Sequence, residues 1–366
     1  MATETARSDA PRKLNELGQS LWLDNITRDL LNNGTLARYI GSGLSVTGLT
    51  SNPTIFDHAI SKSASYDADV RSLAAKGLAV EELFFELAIA DLTRAADLFR
   101  PIYDRTATVD GFVSLEVSPL LAYDTAQTLA AARMLHAKAG RPNLFIKIPG
   151  TREGLPAIEE AIFQGVPINV TLLFSTQQYQ AAAEAYLRGL ERRVAAGLSP
   201  DVRSVASLFV SRWDKATLEK LPPNLRNKLG IAVGQQCFRA YRQLMATDRW
   251  QRLMNLGARP QRLLFASTGV KDPSAPDTMY ITALAAPNTV NTMPEETLLA
   301  FGDHGALSAA LTPDGGNCDQ VLASISAAGV DIAALAAQLQ TDGAESFNAS
   351  WKNLLKSIET KSKALK

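Results

Sequence analysis

The stretch Asn143-Leu-Phe-Ile-Lys147-Ile-Pro-Gly150 places one lysine inside an otherwise apolar run. A strand that is buried on both faces has a nearly continuous apolar sequence, as in the central strands of a parallel sheet. A lysine in such a strand must be paired, neutral or covalently employed, because a buried ammonium group is costly. The Pro-Gly that follows ends the strand and puts Lys147 near its carboxyl end, where α/β proteins hold their functional residues.

Two interpretations of Lys147 follow from this placement. Burial disfavours the ammonium form, and the free amine that remains can attack a carbonyl carbon to form a Schiff base. Alternatively, Lys147 lies at a strand edge and extends its ammonium group to solvent. The Pro-Gly ending favours the first interpretation.

The composition is that of an ordinary globular protein. The chain has 366 residues, of which 46% are hydrophobic and 20% charged, and its formal net charge is zero. A single (β/α) barrel of about 250 residues or more fits this length, as do two smaller domains. The balanced charge gives no reason to expect binding to nucleic acid or to a membrane surface, although a local basic pocket for a small anion is compatible with it.

Cysteine and histidine positions give no sign of a disulfide framework or a metal site. Cys237 and Cys318 are far apart, as are the three histidines, His58, His136 and His304. We therefore expect reduced thiols and no metal site at these residues. The start, Met1 to Arg12, lacks the apolar core of a signal peptide, and no apolar run reaches about 18 residues. These features predict a cytoplasmic protein.

Short apolar or β-branched runs alternate with segments of helical periodicity, which is the pattern of βα units around a parallel sheet. Eight runs with intervening helices predict a single (β/α)8 TIM barrel. The predicted strands are Leu21–Ile26, Gly48–Pro53, Gly111–Val117, Asn143–Ile148, Pro167–Phe174, Val205–Val210, Arg262–Ala266 and Ile281–Thr289. The clearest helices are Glu81–Phe99, Thr125–Ala139, Gln177–Ala196 and Leu225–Leu256.

The ends of the chain complete the predicted domain organisation. Residues 1–14 are expected to form a polar tail, and residues 15–366 one barrel domain with additional helices. Ser346–Lys366 is an amphipathic helix candidate with an apolar face that includes Phe347 and Trp351. We expect this helix to pack across the barrel, with a dimer contact as the second choice, so both a monomer and a homodimer remain open.

Polar residues recur at the carboxyl ends of the predicted strands. They are Asp24, Asn52, Glu116, Asn169 and Thr171. Each has a structural explanation when taken alone, such as a helix cap, a turn or an ion pair. Together they point to one site, because the strand ends of a barrel converge on one mouth and a buried lysine there needs polar partners.

Four segments resemble the signature sequences of the transaldolase family, in its longer bacterial form. They are Leu-Trp-Leu-Asp24, Gly48-Leu-Thr50-Ser-Asn52-Pro-Thr-Ile-Phe56, Ile146-Lys147-Ile-Pro-Gly-Thr151 and Ile168-Asn169-Val-Thr171-Leu-Leu-Phe-Ser175. The resemblance implies a dihydroxyacetone transfer from sedoheptulose 7-phosphate or fructose 6-phosphate to glyceraldehyde 3-phosphate or erythrose 4-phosphate. The implied pathway is the non-oxidative pentose phosphate pathway, and no cofactor is required.

The same resemblance assigns roles to individual residues. Lys147 would form the Schiff base, Asp24 would be the general base, and Glu116 with Thr171 would transfer protons during imine formation. The residues that match positions contacting the bound substrate are Thr50, Asn52, Asn169, Ser207 and Phe209.

A phosphate site is implied by Ser207-Leu-Phe209-Val-Ser-Arg212, in which Arg212 matches an arginine that binds substrate phosphate. The seventh segment, Ala266-Ser267-Thr-Gly269-Val-Lys271, departs from the short bacterial form, which has a second arginine where Gly269 stands. We expect Ser267 to donate a hydrogen bond and Lys271 to supply the missing charge. The alternative is that Lys271 is a solvated loop residue.

Two rival functions remain. The first is a fructose-6-phosphate aldolase, which uses the same chemistry but releases dihydroxyacetone. In that group a glutamine stands at the place of Glu116 and a tyrosine at that of Phe209, so the resemblance favours transfer. The second rival is a non-catalytic barrel that binds sugar phosphates.

Overall fold

A computed structural model describes residues 8–307 and 309–365. Within these residues eight parallel strands form one sheet with the order β2-β1-β8-β7-β6-β5-β4-β3. The strands are β1 Gln19–Asp24, β2 Val46–Thr50, β3 Val113–Glu116, β4 Leu144–Pro149, β5 Ile168–Leu173, β6 Ser204–Phe209, β7 Gln261–Ala266 and β8 Thr289–Met293.

Helices follow the strands and surround them. They are α1 Ala10–Leu17, α2 Arg28–Asn32, α3 Thr35–Gly41, α4 Pro53–Lys62, α5 Asp67–Ala75, α6 Val80–Arg105, α7 Thr125–Ala139, α8 Gly154–Phe163, α9 Thr176–Ala195, α10 Ser211–Thr217, α11 Leu229–Met245, α12 Asp248–Asn255, α13 Met279–Ala283, α14 Glu295–His304, α15 Cys318–Ala327 and α16 Ile332–Ala364. Short 3₁₀ turns occupy Ala64–Tyr66, Pro119–Leu121 and Pro223–Leu225. The predicted (β/α)8 TIM barrel with additional helices is confirmed.

The barrel closes where β2 meets the start of β3. The amide of Leu49 donates to the carbonyl of Phe112 at 3.0 Å, and the amide of Gly111 donates to the carbonyl of Thr47 at 3.0 Å. Gly48 lies at this seam, and a Cβ there would come within 2.7 Å of the Phe112 carbonyl oxygen and of the Trp22 ring. Only glycine allows the backbones to approach this closely.

Seven of the eight predicted strands contain the observed strand or most of it, but the eighth prediction was wrong. Within Ile281–Thr289 the chain first completes helix α13 and then turns at Pro287 and Asn288. Pro287 has no amide hydrogen to donate, so it cannot lie in a central strand. The strand begins only at Thr289 and pairs with both β1 and β7.

The ends of the chain also differ from expectation. Helix α1 begins at Ala10, inside the segment expected to be a tail, and buries Leu14. Residues 1–7 of that predicted tail, and Lys366 of the predicted last helix, lie outside the described residues. The predicted helix Leu225–Leu256 is divided into α11 and α12 by a break at residues 246–247.

Helix α16 packs across the carboxyl ends of the strands, as expected, but it is longer than the predicted segment Ser346–Lys366. The side chain of Gln340 donates to the carbonyls of Gly150 at 3.1 Å and Leu172 at 2.9 Å, just beyond β4 and within β5. Farther along, Trp351 packs edge-on against Phe84 with 5.0 Å between ring centroids. The helix is therefore anchored on the strand ends at one point and on the outer helices at another.

No single helix among the described residues is both long and apolar enough to cross a membrane. The pair Cys318–Ala327 and Ile332–Ala364, bent by 92°, meets the length and composition test only when the two are taken together.

Candidate active site

A cavity of about 140 Å³ opens at the carboxyl ends of the barrel strands. Side chains from seven strands or the loops that follow them line it, together with one residue of α16. The lining residues are Asp24, Thr50, Asn52, Lys147, Thr171, Ser207, Phe209, Arg212, Ala266, Ser267, Gly269, Lys271, Thr292, Pro294 and Phe347. Ten of the twelve residues singled out in the sequence are in this set.

Lys147 lies on β4 with only 6% of its side chain exposed. Its Nζ donates a hydrogen bond to the main-chain oxygen of Ser51 at 2.9 Å. The same nitrogen lies 3.1 Å from Oε2 of Glu116. Lys147 is therefore a buried, paired lysine inside the barrel mouth and not a residue that extends to solvent.

Glu116 is the register partner of Lys147 on the neighbouring strand β3. It does not line the cavity itself but reaches it through Lys147. Burial raises the pKa of the Glu116 carboxyl group, and the positive charge of Lys147 opposes that rise. A carboxyl group beside an amine can accept a proton from it and return that proton later in the reaction.

Asp24 ends β1, and the hydroxyl of Thr50 donates to its Oδ1 at 2.7 Å. Thr50 Oγ1 lies 2.7 Å from Thr292 Oγ1. Since the Thr50 hydrogen is directed to Asp24, Thr292 is left as the donor of that second bond. Burial raises the pKa of Asp24, while the charge of Lys147 and the hydrogen bond from Thr50 lower it.

Asn169 lies below the cavity rather than in its lining. It is fully buried on β5, where Ser207 Oγ donates to its Oδ1 at 2.7 Å and its Nδ2 donates to Ser114 Oγ at 3.1 Å. Two residues farther along the strand, Thr171 lines the cavity, and its hydroxyl has no hydrogen-bond partner among the described residues. Asn169 thus supports Ser207 from beneath, and Thr171 has a hydroxyl free for a ligand or a water molecule.

Asn52 combines a structural role with a place in the cavity. Its Oδ1 accepts the amide hydrogen of Ile55 at 3.1 Å and caps α4, with Pro53 in the first turn of the helix. The sequence alone left a choice between a turn residue and a binding residue. The structure places Asn52 both at the helix cap and in the cavity lining.

The outer end of the cavity is positively charged. Arg212, in the first turn of α10, and Lys271, in the loop after β7, both line it. Burial lowers the pKa of Arg212, and the charges of Glu116 and Asp24 oppose that change. Ser267 also lines the cavity, and its Oγ is 3.0 Å from Ser211 Oγ.

Five lining residues were not predicted as site residues: Ala266 and Gly269, which lie in the seventh segment quoted above, and Thr292, Pro294 and Phe347. Thr292 and Pro294 belong to β8 and the turn after it, and their segment Val-Asn-Thr-Met-Pro has the same strand-then-proline ending as the second and fourth strands. That ending was a usable signal. Phe347 was assigned only to the apolar face of the last helix, and nothing in the local sequence places it in the cavity.

The described residues contain no group of three or more His, Cys, Asp or Glu side chains arranged to hold a metal ion. Cys237 and Cys318 are both buried free thiols, and burial raises the pKa of Cys237 to about 12. Neither thiol lines the cavity.

Comparisons with known proteins identify the family. The family described as Transaldolase/Fructose-6-phosphate aldolase matches residues 21–358. Proteins named Transaldolase from Parafrankia sp. (strain EAN1pec) and Saccharopolyspora erythraea are 45% and 46% identical to the chain, and each alignment covers 94% of this chain and at least 95% of the relative. A protein named Transaldolase 2 from Streptomyces coelicolor is 42% identical over 98% of both chains. The chain therefore belongs to the transaldolase/fructose-6-phosphate aldolase family.

Proposed function

We propose that this protein is a transaldolase that moves a dihydroxyacetone unit between sugar phosphates through a Schiff base on Lys147. The donors are sedoheptulose 7-phosphate and fructose 6-phosphate, and the acceptors are glyceraldehyde 3-phosphate and erythrose 4-phosphate. The names of its relatives support transfer as the activity. The observation that carries the mechanism is the 3.1 Å approach of Lys147 Nζ to Glu116 Oε2 in a cavity that also holds Asp24.

The first step is formation of the imine. Glu116 takes a proton from the Lys147 ammonium group, and the free amine adds to the C2 carbonyl of the ketose phosphate. Glu116 returns the proton to the carbinolamine hydroxyl, so that water leaves and an iminium forms. Thr171, with its unpartnered hydroxyl, orients this water.

The second step is cleavage of the bond between C3 and C4. The Asp24 carboxylate accepts the proton of the C4 hydroxyl, the aldose phosphate leaves, and the bond's electron pair passes into the iminium to give an enamine. The enamine then adds to the acceptor aldehyde, and Asp24 gives its proton to the new hydroxyl. Water hydrolyses the second iminium and releases the product ketose phosphate.

The remaining polar groups bind and orient the substrate. Asn52 and Ser207, with Asn169 beneath, are positioned to contact the dihydroxyacetone hydroxyls, while Arg212, Ser267 and Lys271 face the phosphate. The cavity lining combines the Lys147 amine with two further cationic side chains, Arg212 and Lys271. A ketose phosphate has groups that match both, a carbonyl for the amine and a dianion for the cations.

Glu116 and Phe209 favour transfer over release. The Phe209 ring lines the cavity and offers no hydroxyl that could protonate the enamine. The three-carbon unit then stays on Lys147 until an acceptor aldehyde arrives. We place the reaction in the non-oxidative pentose phosphate pathway and the protein in the cytoplasm, as a monomer or homodimer.

The test is an assay of fructose 6-phosphate with and without erythrose 4-phosphate. Transfer predicts sedoheptulose 7-phosphate in the presence of the acceptor and little free dihydroxyacetone in its absence. Dihydroxyacetone release at a rate that ignores the acceptor would assign the chain to the aldolase branch of its family instead.

A further inference from the structure

We propose that Phe347 and Gly343 of helix α16 are positioning residues for Arg212, and that through it they set the preference for phosphorylated over unphosphorylated substrates. This proposal rests on the function proposed above. Neither residue belongs to the barrel, and Phe347 follows Arg212 in the chain by more than a hundred residues.

The guanidinium group of Arg212 packs against two aromatic rings. Its central carbon is 4.9 Å from the Phe209 ring centroid and 5.6 Å from the Phe347 ring centroid. Phe209 comes from β6 and Phe347 from α16, and the two rings are 6.4 Å apart at an angle of 63°. Such contacts hold a guanidinium plane without using its N–H groups.

Those N–H groups are available. Within residues 8–307 and 309–365, the Arg212 guanidinium makes no hydrogen bond and no ion pair, although the residue is only partly exposed. A partly buried cation without a hydrogen-bonded partner is unfavourable by itself. Its donors line the cavity that also contains Lys271, so an anionic group of the substrate is the partner that the arrangement lacks.

Gly343 lets α16 approach this arginine. A Cβ at position 343 would lie 3.1 Å from Arg212 Nη1 and 3.0 Å from Leu172 Cδ2. Gly343 is one helical turn before Phe347, so the two residues lie on the same face of the helix. The absence of a side chain at position 343 therefore leaves room for the Arg212 guanidinium, and Phe347 packs against that group beside Phe209.

Gln340 anchors helix α16 to the carboxyl ends of the barrel strands. Its amide donates to the carbonyl of Gly150, just beyond the end of β4, and to the carbonyl of Leu172 in β5. Leu172 has a φ of 59°, and the β5–β6 register shifts between Val170 and Leu173, so the strand is irregular where Gln340 binds it. The geometry thus links the position of Arg212 to the strand that carries Lys147.

The closing experiment compares acceptors. In a ping-pong transfer, kcat/KM for the acceptor reports only the half-reaction that follows cleavage of the donor and departure of the first aldose phosphate. We expect Phe347→Leu to lower kcat/KM for erythrose 4-phosphate by about tenfold, as for loss of a desolvated cation–π contact, and to leave kcat/KM for erythrose within about twofold. Gly343→Ala should also lower kcat/KM for erythrose 4-phosphate relative to that for erythrose, because its new methyl group displaces Arg212 or Phe347. Equal losses for both acceptors, or no loss for either, would overturn the proposal.

Leu354→Ala is the matched control, since Leu354 is fully buried on the same helix and lies outside the cavity. Leu354→Ala should lower the Tm but leave unchanged the ratio of kcat/KM for erythrose 4-phosphate to kcat/KM for erythrose. A ratio that falls as far in Leu354→Ala as in Phe347→Leu would mean that any loosening of α16 suffices, and would contradict a specific role for Phe347.

Binding of inorganic phosphate, measured by titration calorimetry, gives a second readout that needs no turnover. We expect the Kd to rise by a similar factor in Phe347→Leu and to stay unchanged in Leu354→Ala. A parent protein that binds phosphate but transfers nothing would contradict the proposed function alone. A Kd unchanged by Phe347→Leu would contradict the role of α16 alone.

Discussion

Lys147 Nζ and Glu116 Oε2 lie 3.1 Å apart on register-paired strands, and both side chains are almost completely buried. Within the described residues, neither Glu116 oxygen has a hydrogen-bond partner of good geometry, and the charge of Lys147 is the largest influence that offsets the burial of this carboxylate. An ion pair of this kind contributes little net stability, because desolvation offsets the attraction. The pair is better explained by proton transfer than by stabilisation of the fold.

We therefore predict that Lys147→Met is less stable than the parent by about 3–5 kcal/mol at pH 8, because it leaves the Glu116 charge buried and unpaired. Burial already raises the pKa of Glu116, and loss of Lys147 raises it further. The folded state then binds a proton more tightly than the unfolded state, so the deficit should shrink as the pH falls through this raised pKa.

Urea denaturation of the parent, Lys147→Met, Glu116→Gln and the double variant, at pH 8 and at pH 5.5, measures this coupling. The double variant should recover most of the loss, since a neutral amide replaces the unpaired carboxylate. A deficit that is equal at both pH values would show that the lost stability comes from packing and not from charge.

Reduction with borohydride in the presence of fructose 6-phosphate should attach a reduced three-carbon unit to Lys147. Intact and peptide mass spectrometry detect the adduct, and Lys147→Met should lack it. Asp24→Ala should still form a Schiff base with the donor but cleave it at least about a hundredfold more slowly, since a general base contributes 10²–10⁴-fold. Label on a different lysine would refute the proposed mechanism.

Asp24 receives its hydrogen bond from Thr50, which in turn is bonded to Thr292. Because burial raises the pKa of Asp24 and the Thr50 hydrogen bond lowers it, loss of that donor should raise the pKa further. As a general base Asp24 must be deprotonated, so the acid limb of the kcat profile should move to higher pH in Thr50→Val. Thr292→Val should move it by less, because Thr292 acts through Thr50.

Measurement of kcat from pH 5 to 9 tests this order, with Thr292→Ser as the matched variant that keeps the hydroxyl. Thr292→Ser should retain the parent profile. An acid limb that stays in place in Thr50→Val would show that the Thr50 hydroxyl does not tune the base.

The strand ends could be predicted from the sequence because β1 to β7 are buried on both faces and their polar residues interrupt apolar runs. In a closed barrel, this is enough to bring Asp24 and Lys147 to the same mouth. The strand β8, Thr-Val-Asn-Thr-Met, has no such run, because Asn291 and Thr292 are buried as polar residues and bond within the barrel. This segment is a strand because it pairs with β1 and β7, and strand pairing cannot be inferred from the local sequence of one segment.

Phe347 shows a second limit of sequence reasoning. Its spacing correctly predicted an apolar helix face, which Trp351 and Leu354 share. Whether such a face meets another helix or a cavity depends on where α16 crosses the barrel, and this is set by contacts such as those of Gln340 with the ends of β4 and β5. The tertiary arrangement, not the periodicity, made Phe347 a cavity residue.

Lys271 lines the cavity although it is an exposed residue, and its Nζ would lie 3.6 Å from a Cβ on Gly269. We predict that it binds the substrate phosphate together with Arg212. A hydrogen bond to a charged group contributes about 1.5–3 kcal/mol, so Lys271→Met should lower kcat/KM for erythrose 4-phosphate by about tenfold or more and leave that for erythrose unchanged. Arg212→Met should have a larger effect, because Arg212 is less exposed and offers a bidentate fork.

Lys271→Arg should retain most of the activity, and Lys220→Met, at an exposed lysine outside the cavity, should retain all of it. Steady-state kinetics at two salt concentrations measure these effects, and the loss from Lys271→Met should shrink at high salt because the contact is solvent-exposed. Parent-like kinetics in Lys271→Met would mean that the lysine is a solvated loop residue and that Arg212 binds the phosphate without it.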